Sequence, residues 1–138
     1  MTKENKKQKN IKLPLYATKV KAGFPSPADE EIEKKLDLNE YIIEHPNSTF
    51  YVKVTGDSMR GAGIFPDDII VIDRSKEACD KSIILAIVDG EFTVKRLRKS
   101  DKRIYLQPEN TDYEIIEIRE GTDFEVWGVV TYVIHKPK

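Results

Sequence analysis

A chain of 138 residues, 34% charged and 39% apolar, suits one globular domain with an ordinary core and room for a polar tail. A net charge of -1 excludes the basic footprint that tight direct DNA binding requires. The single cysteine, Cys79, excludes an internal disulfide and a multi-cysteine zinc site, and no apolar run reaches membrane-span length or forms a signal core.

Residues 1–10 carry Lys3, Lys6, Lys7 and Lys9 with almost nothing apolar, which predicts a disordered, solvated tail. Ile11, Leu13, Leu15, Tyr16 and Val20, interrupted by Pro14, predict an extended arm lying on the domain. In Ala22-Gly23-Phe24-Pro25-Ser26-Pro27 the two prolines oppose helix and central strand. Such a segment fits a linker, and it also fits a protease groove. A helix is predicted from Ser26, with Ser26 as N-cap, Pro27 at the first position and Asp29, Glu30 and Glu31 in the first turn. Ile32 and Leu36 would share its face. A second short turn is predicted at Asp37, with Glu40 at capping-box spacing, carrying Leu38, Tyr41 and Ile42 and ending at His45-Pro46-Asn47-Ser48.

After Thr49 the pattern changes to short strands separated by turn signals. Phe50, Val52 and Val54 alternate with Tyr51, Lys53 and Thr55, and Ile69 to Ile72 is continuously apolar, as burial on both faces requires. Ser82 to Val88 and Glu91 to Leu97 flank Asp89-Gly90, a strong hairpin signal. Ile104 to Leu106, Tyr113 to Ile118 and Phe124 to Ile134, broken by Gly128, complete the set. The fold class is mainly β, a sandwich or small barrel. Cys79 is expected half-buried in a loop. His45 and His135 match no metal spacing and read as surface or core-edge residues, so neither metal nor cofactor is expected.

Two places carry candidate chemistry. Gly56-Asp57-Ser58-Met59 follows a strand and precedes the breaker Arg60-Gly61-Ala62-Gly63. Ser58 there is either a positioned nucleophile or part of an ordinary strand-end turn. The hairpin at Asp89-Gly90 sets Ile84 opposite Lys95, so Lys95 shares a face with Thr93, Leu97, Ala86 and Ile84. A lysine on an apolar face either snorkels to water or is a desolvated base. As a base it would complete a Ser–Lys dyad, which needs a hydroxyl, a neutral amine and backbone amides for the oxyanion, and no histidine.

Three features taken together resemble the UmuD branch of the LexA-type self-cleaving serine proteases. They are Gly56-Asp57-Ser58-Met59, Val88-Asp89-Gly90-Glu91-Phe92-Thr93-Val94-Lys95 and Ala22-Gly23-Phe24-Pro25-Ser26-Pro27, with Ser58 and Lys95 at the family's separation. Asp37-Leu38-Asn39, His45-Pro46, Asp67-Asp68 and Val126-Trp127-Gly128-Val129-Val130 support it. The resemblance runs from about Lys21 to the C-terminus. It implies a LexA-like catalytic β-domain at 49–138, a linker and short helical segment at 23–48, and a flexible arm at 1–22 removed by self-cleavage.

The resemblance further implies Ser58 as nucleophile and Lys95 as general base, with the amides of Asp57 and Ser58 as oxyanion donors. The substrate would be the chain's own Ala22–Gly23 bond, with Val20 filling a shallow pocket. Implied partners are a second copy in a homodimer, a RecA filament on single-stranded DNA as co-protease, and a UmuC-type translesion polymerase in the SOS response. The expected location is cytoplasmic, and neither membrane nor tight direct DNA binding is expected. LexA repressors carry a helix-turn-helix domain ahead of their cleavage site; the 22 residues here are too few for one, so repression is not expected. The alternative is a polymerase-binding assembly module without significant protease activity. A leader peptidase would need a membrane anchor.

Overall fold

A computed structural model describes residues 10–23, 25 and 27–138. The chain divides into two compact units, one reaching to Glu44 and the other spanning His45–Lys138. Residues 1–9 of the tail predicted over 1–10, and the Ser26 cap, lie outside the described residues.

In the first unit β1 (Lys12–Tyr16) pairs antiparallel with β2 (Ile32–Asp37). The helix expected over Pro27 to Leu36 does not form; half of that stretch is strand β2. The reason is energetic. An isolated helix of this length must meet its nucleation cost alone, whereas β1 offers a ready ladder, with Leu13 opposite Leu36 and Pro14 opposite Lys35. Pro14 is tolerated because a two-stranded ribbon leaves one edge without ladder bonds. The acids expected in a helical first turn close a bend instead: Asp29 Oδ1 accepts from the Glu31 amide at 3.0 Å, and the Ala17 amide donates to Glu31 O at 2.9 Å. The second expected turn is present. Helix α1 (Leu38–Ile42) is capped by Asp37, whose side chain accepts from the amides of Asn39 and Glu40.

The second unit is one antiparallel sheet in the order β3-β4-β9-β5-β6-β7-β8. Its strands are β3 (Thr49–Lys53), β4 (Ile69–Asp73), β5 (Ile83–Val88), β6 (Glu91–Ser100), β7 (Arg103–Gln107), β8 (Ile116–Ile118) and β9 (Phe124–Ile134). The mainly β expectation holds, and the hairpin register is the one read from Asp89-Gly90: Val88 faces Glu91 and Ile84 faces Lys95. Asp89 and Gly90 take φ of 48° and 86°, the paired positive values of a type I′ turn.

Because side chains alternate along a strand, Ile84 and Leu85 serve opposite faces of the sheet. Leu85 packs with Met59, Ile64, Ile70 and Ile72; Ile84 packs with Ala86, Leu97 and Leu106. Both faces of the sheet are therefore packed, and of the apolar run from Ile69 to Ile72 the last three residues are fully buried while Ile69, at the start of the strand, is half-buried. Each such side chain contributes about 1.5–3 kcal/mol. Cys79, expected half-buried, is exposed, because the loop carrying it leaves the sheet between β4 and β5. No helix among the described residues is long and apolar enough to cross a membrane.

Gly128 interrupts β9 for a steric reason. A Cβ there would meet Ile72 Cγ2 at 2.5 Å and the Asp73 carbonyl oxygen at 3.2 Å. Gly128→Ala is therefore expected to cost about 1–3 kcal/mol by overpacking, read as a lower midpoint in thermal unfolding. An unchanged midpoint would show that β4 can move aside.

Candidate active site

Ser58 stands on the turn after β3. The Val54 amide donates to Asp68 O, and the Asp67 amide donates to Val54 O, both at 2.8 Å, so pairing continues just past the strand and fixes where the turn starts. Gly56 then takes φ of +80°, a conformation that a side chain would strain. Immediately beyond Ser58, Met59 is buried against Ile64, Ile70, Ile72 and Leu85. A half-buried serine is thus held between a left-handed glycine and a core anchor.

Lys95 reaches the same place from β6. Its Nζ donates to Ser58 Oγ at 3.2 Å, to Thr93 Oγ1 at 2.6 Å and to the Val94 carbonyl at 3.2 Å. The residue is only 9% exposed, and desolvation of the ammonium lowers its pKa below the ordinary 10.5. The amine does not snorkel; it is directed inward onto a hydroxyl.

Ser58 and Lys95 lie in a groove of about 240 Å³ whose apolar lining includes Val52, Val54, Leu85, Phe92 and Val94. Two backbone edges border it. β3 is the first strand of the sheet, and residues 91–95 of β6 pair with β5 alone, because β7 joins β6 only from Arg96 onward. Among the described residues these edges carry no second strand, which leaves amides and carbonyls able to pair with an extended peptide. Phe92, 58% exposed, stands at the groove with its ring edge-to-face on Trp127 at 5.1 Å. Arg74 covers Trp127 with its guanidinium 4.4 Å from the ring centre.

The Peptidase S24-like family profile matches residues 14–131. The chain belongs to this family. It is 42% identical over 125 residues to Protein SamA of Salmonella typhimurium strain LT2, covering 91% of this chain and 86% of that one. To Protein MucA of Escherichia coli it is 40% identical over 121 residues, covering 87% and 82%. To the LexA repressor of Clostridium perfringens it is 38% identical over 116 residues, which is 84% of this chain and 57% of the repressor. The resemblance to UmuD and LexA proteins stands, and the chain is a member of a serine peptidase family.

Within this S24-like chain the structure brings together Ser58, Lys95 and the Asp57 backbone. Val20, Ala22 and Gly23 belong to the first unit, in the segment between β1 and β2, and all three are exposed, Val20 at 83%. The amides of Asp57 and Ser58 donate to no carbonyl among the described residues.

Several residues around the site escaped the sequence reading. Thr93 was placed on the lysine's face, but its contact with Nζ was not foreseen. The loop after β7 grips the nucleophile turn. The Glu109 amide donates to Ser58 O at 2.8 Å, and the Gly61 amide donates to Glu109 O at 2.7 Å. A Cβ on Gly61 would meet that oxygen at 2.6 Å, so this close approach requires glycine. Arg96 Nε lies 3.0 Å from Glu109 Oε2 and holds its carboxyl below the usual range. Tyr113 donates its hydroxyl to Asp57 Oδ1 at 2.7 Å, and Asn110 Nδ2 donates to Asp57 O at 2.9 Å. The only sequence signal was a cluster of turn-forming residues from Pro108 to Asp112, which does not name a tertiary partner.

The two histidines are core-edge residues as expected. Nδ1 of His45 lies 2.5 Å from Asp73 Oδ2 and Nδ1 of His135 lies 2.6 Å from Asp68 Oδ1, each half-exposed ring meeting a buried carboxylate.

Proposed function

We propose that the chain is a UmuD-like SOS-response protein that cuts its own Ala22–Gly23 bond with a Ser58–Lys95 dyad. The observation that carries this reading is the desolvated Lys95 amine, 3.2 Å from the Ser58 hydroxyl in a groove with open strand edges.

The chemistry follows from those atoms. Neutral Lys95 Nζ takes the Ser58 proton as Oγ attacks the Ala22 carbonyl carbon. The resulting oxyanion is met by the amides of Asp57 and Ser58. Collapse breaks the Ala22–Gly23 bond; Lys95 returns the proton to the leaving Gly23 nitrogen, and Ala22 remains as an ester on Ser58. Water then attacks that ester with Lys95 again as base, freeing the Ala22 carboxylate and restoring the serine. Thr93 Oγ1, accepting from Nζ, holds the amine in line. Small residues at Ala22 and Gly23 let the substrate backbone approach Ser58, and Val20 enters the apolar part of the groove.

Cleavage separates residues 1–22 from the linker at 23–48 and the peptidase domain at 49–138. In this reading the processed form is a homodimer in the cytoplasm that joins a UmuC-type translesion polymerase. A RecA filament on single-stranded DNA promotes cutting by favouring the conformer in which the cleavage site meets the dyad.

The test is intact-mass spectrometry after incubation at pH near 10, beside Ser58→Ala. A product beginning at Gly23, absent from the serine variant, is the expected result. An uncut chain, even with RecA, nucleotide and single-stranded DNA added, would leave an assembly role without proteolysis.

A further inference from the structure

The peptide unit between Asp57 and Ser58 contains the carbonyl of one and the N–H of the other. A trans peptide is planar, so these two groups point in opposite directions, and fixing the carbonyl fixes the aim of the N–H. The described residues contain no cis peptide bond. Asn110 Nδ2 donates to the Asp57 carbonyl at 2.9 Å. The other end of the same amide, Asn110 Oδ1, accepts from the Asp112 amide at 2.9 Å. Both partners are backbone groups of unambiguous polarity, which settles which end of the side chain is nitrogen.

Asn110 itself is well anchored. Its neighbour Glu109 makes two backbone bonds to the nucleophile turn, at Ser58 O and the Gly61 amide. The carbonyls that precede and follow Ser58 in the chain are thus both held by one loop. Those two Glu109 bonds already tie the loop to the turn, and the bond to Asp112 already shapes the loop. The Asp57 carbonyl also accepts from the Arg60 amide at 3.2 Å, within the turn itself; the shorter Asn110 Nδ2 bond adds a second hold, from outside the turn, on the orientation of the Asp57–Ser58 peptide plane.

We propose that Asn110 is a positioning residue for peptide-bond cleavage: by holding the Asp57 carbonyl it aims the Ser58 N–H at the oxyanion of the substrate. This inference rests on the reading of Ser58 as nucleophile. Without the Asn110 bond the Asp57 carbonyl keeps only the longer bond from the Arg60 amide, so the plane rocks further about its flanking bonds and the donor is misaimed for part of the time. Loss of one oxyanion donor costs roughly 10²–10³ in rate, so partial loss of its aim is expected to cost at least about tenfold.

Asn110→Asp separates positioning from loop architecture. Aspartate keeps an oxygen for the Asp112 amide and replaces the donor to Asp57 O with an acceptor. Asn110→Ala removes both bonds without adding charge. Self-cleavage of the full chain is followed by intact mass across alkaline pH, with unfolding midpoints measured in parallel. Both variants are expected to lower the plateau rate at least about tenfold while staying folded. Asn110→Ala should leave the pH midpoint in place, because the base is untouched. Cleavage by Asn110→Asp at the wild-type plateau rate would overturn the proposal, as would a rate loss fully accounted for by unfolded protein. If the wild type fails to cut where Ser58→Ala also fails, the nucleophile reading falls first and takes this one with it.

Discussion

Lys95→Ala and Lys95→Arg are both expected to abolish self-cleavage, by about 10²–10⁴-fold or more, while both leave a folded chain. Arginine restores the positive charge and most of the length but stays protonated, so it cannot accept the serine proton. For the wild type, the rate should rise about tenfold per pH unit while Lys95 is mostly protonated, then level off above its pKa. Desolvation places that midpoint below 10.5. The same shift acts on stability. Unfolded Lys95 titrates near its ordinary value and folded Lys95 lower, so between the two the unfolded chain binds more protons and stability rises with pH. Below the folded pKa the cost of burying an ammonium is present in full. Lys95→Met removes that cost, and its unfolding midpoint at neutral pH should equal or exceed that of the wild type although it cannot cut. A lysine retained for structure would give the reverse pair of results. Lys95→Arg cutting at the wild-type rate would end the base assignment.

The part of the site set by local rules was legible. Asp89-Gly90 dictates a two-residue turn, the turn dictates the register, and the register puts Lys95 opposite Ile84 on an apolar face. Ser58 was legible as a turn after an alternating strand. What could not be read is where the chain folds back on itself. The grip of Glu109, Asn110 and Tyr113 on the Asp57–Ser58 turn joins residues about fifty positions apart through Glu109 backbone groups and two isolated polar side chains, none of which follows a strand or helix period. Strand alternation puts Val94, Leu85 and Phe92 on the face away from Lys95, yet they line the same groove, because the groove follows the open edge of β6 and receives side chains from both faces. The failed helix at Pro27 to Leu36 has a related cause. Ser-Pro followed by acids is a good helix start, and ranking it above a strand needed knowledge that Lys12–Tyr16 would lie alongside as a pairing partner.

Asp73→Asn is expected to destabilise the second unit strongly at neutral pH and much less in acid. Asp73 ends β4, is 2% exposed, and receives His45 Nδ1, the Ser75 amide at 2.8 Å and Ser75 Oγ at 2.7 Å. Burial pushes its pKa up, but the hydrogen bonds from His45 and Ser75 outweigh burial and hold it at about 2, against 3.8 for a free aspartate. A depressed carboxylate pKa contributes stability that is complete above 3.8 and is lost as pH falls through about 2. The asparagine variant lacks the charge at every pH. At pH 7 it should lose about 1–3 kcal/mol through weakened or unmet hydrogen bonds, a fall in Tm of roughly 5–15 °C. Below pH 2 the wild type has lost the same charge, and the two curves should converge. A Tm gap that stays constant from pH 7 to pH 2 would mean that Asp73 acts by shape alone. The contact reaches the active site through β3. His45 O accepts from Thr49 Oγ1 at 2.6 Å, and Ser48 O accepts from the Arg74 amide at 2.8 Å, so the His45–Asp73 pair pins the start of the strand whose other end delivers Ser58. Loosening that strand should therefore slow cleavage as well, without moving its pH midpoint, since Lys95 is held from β6.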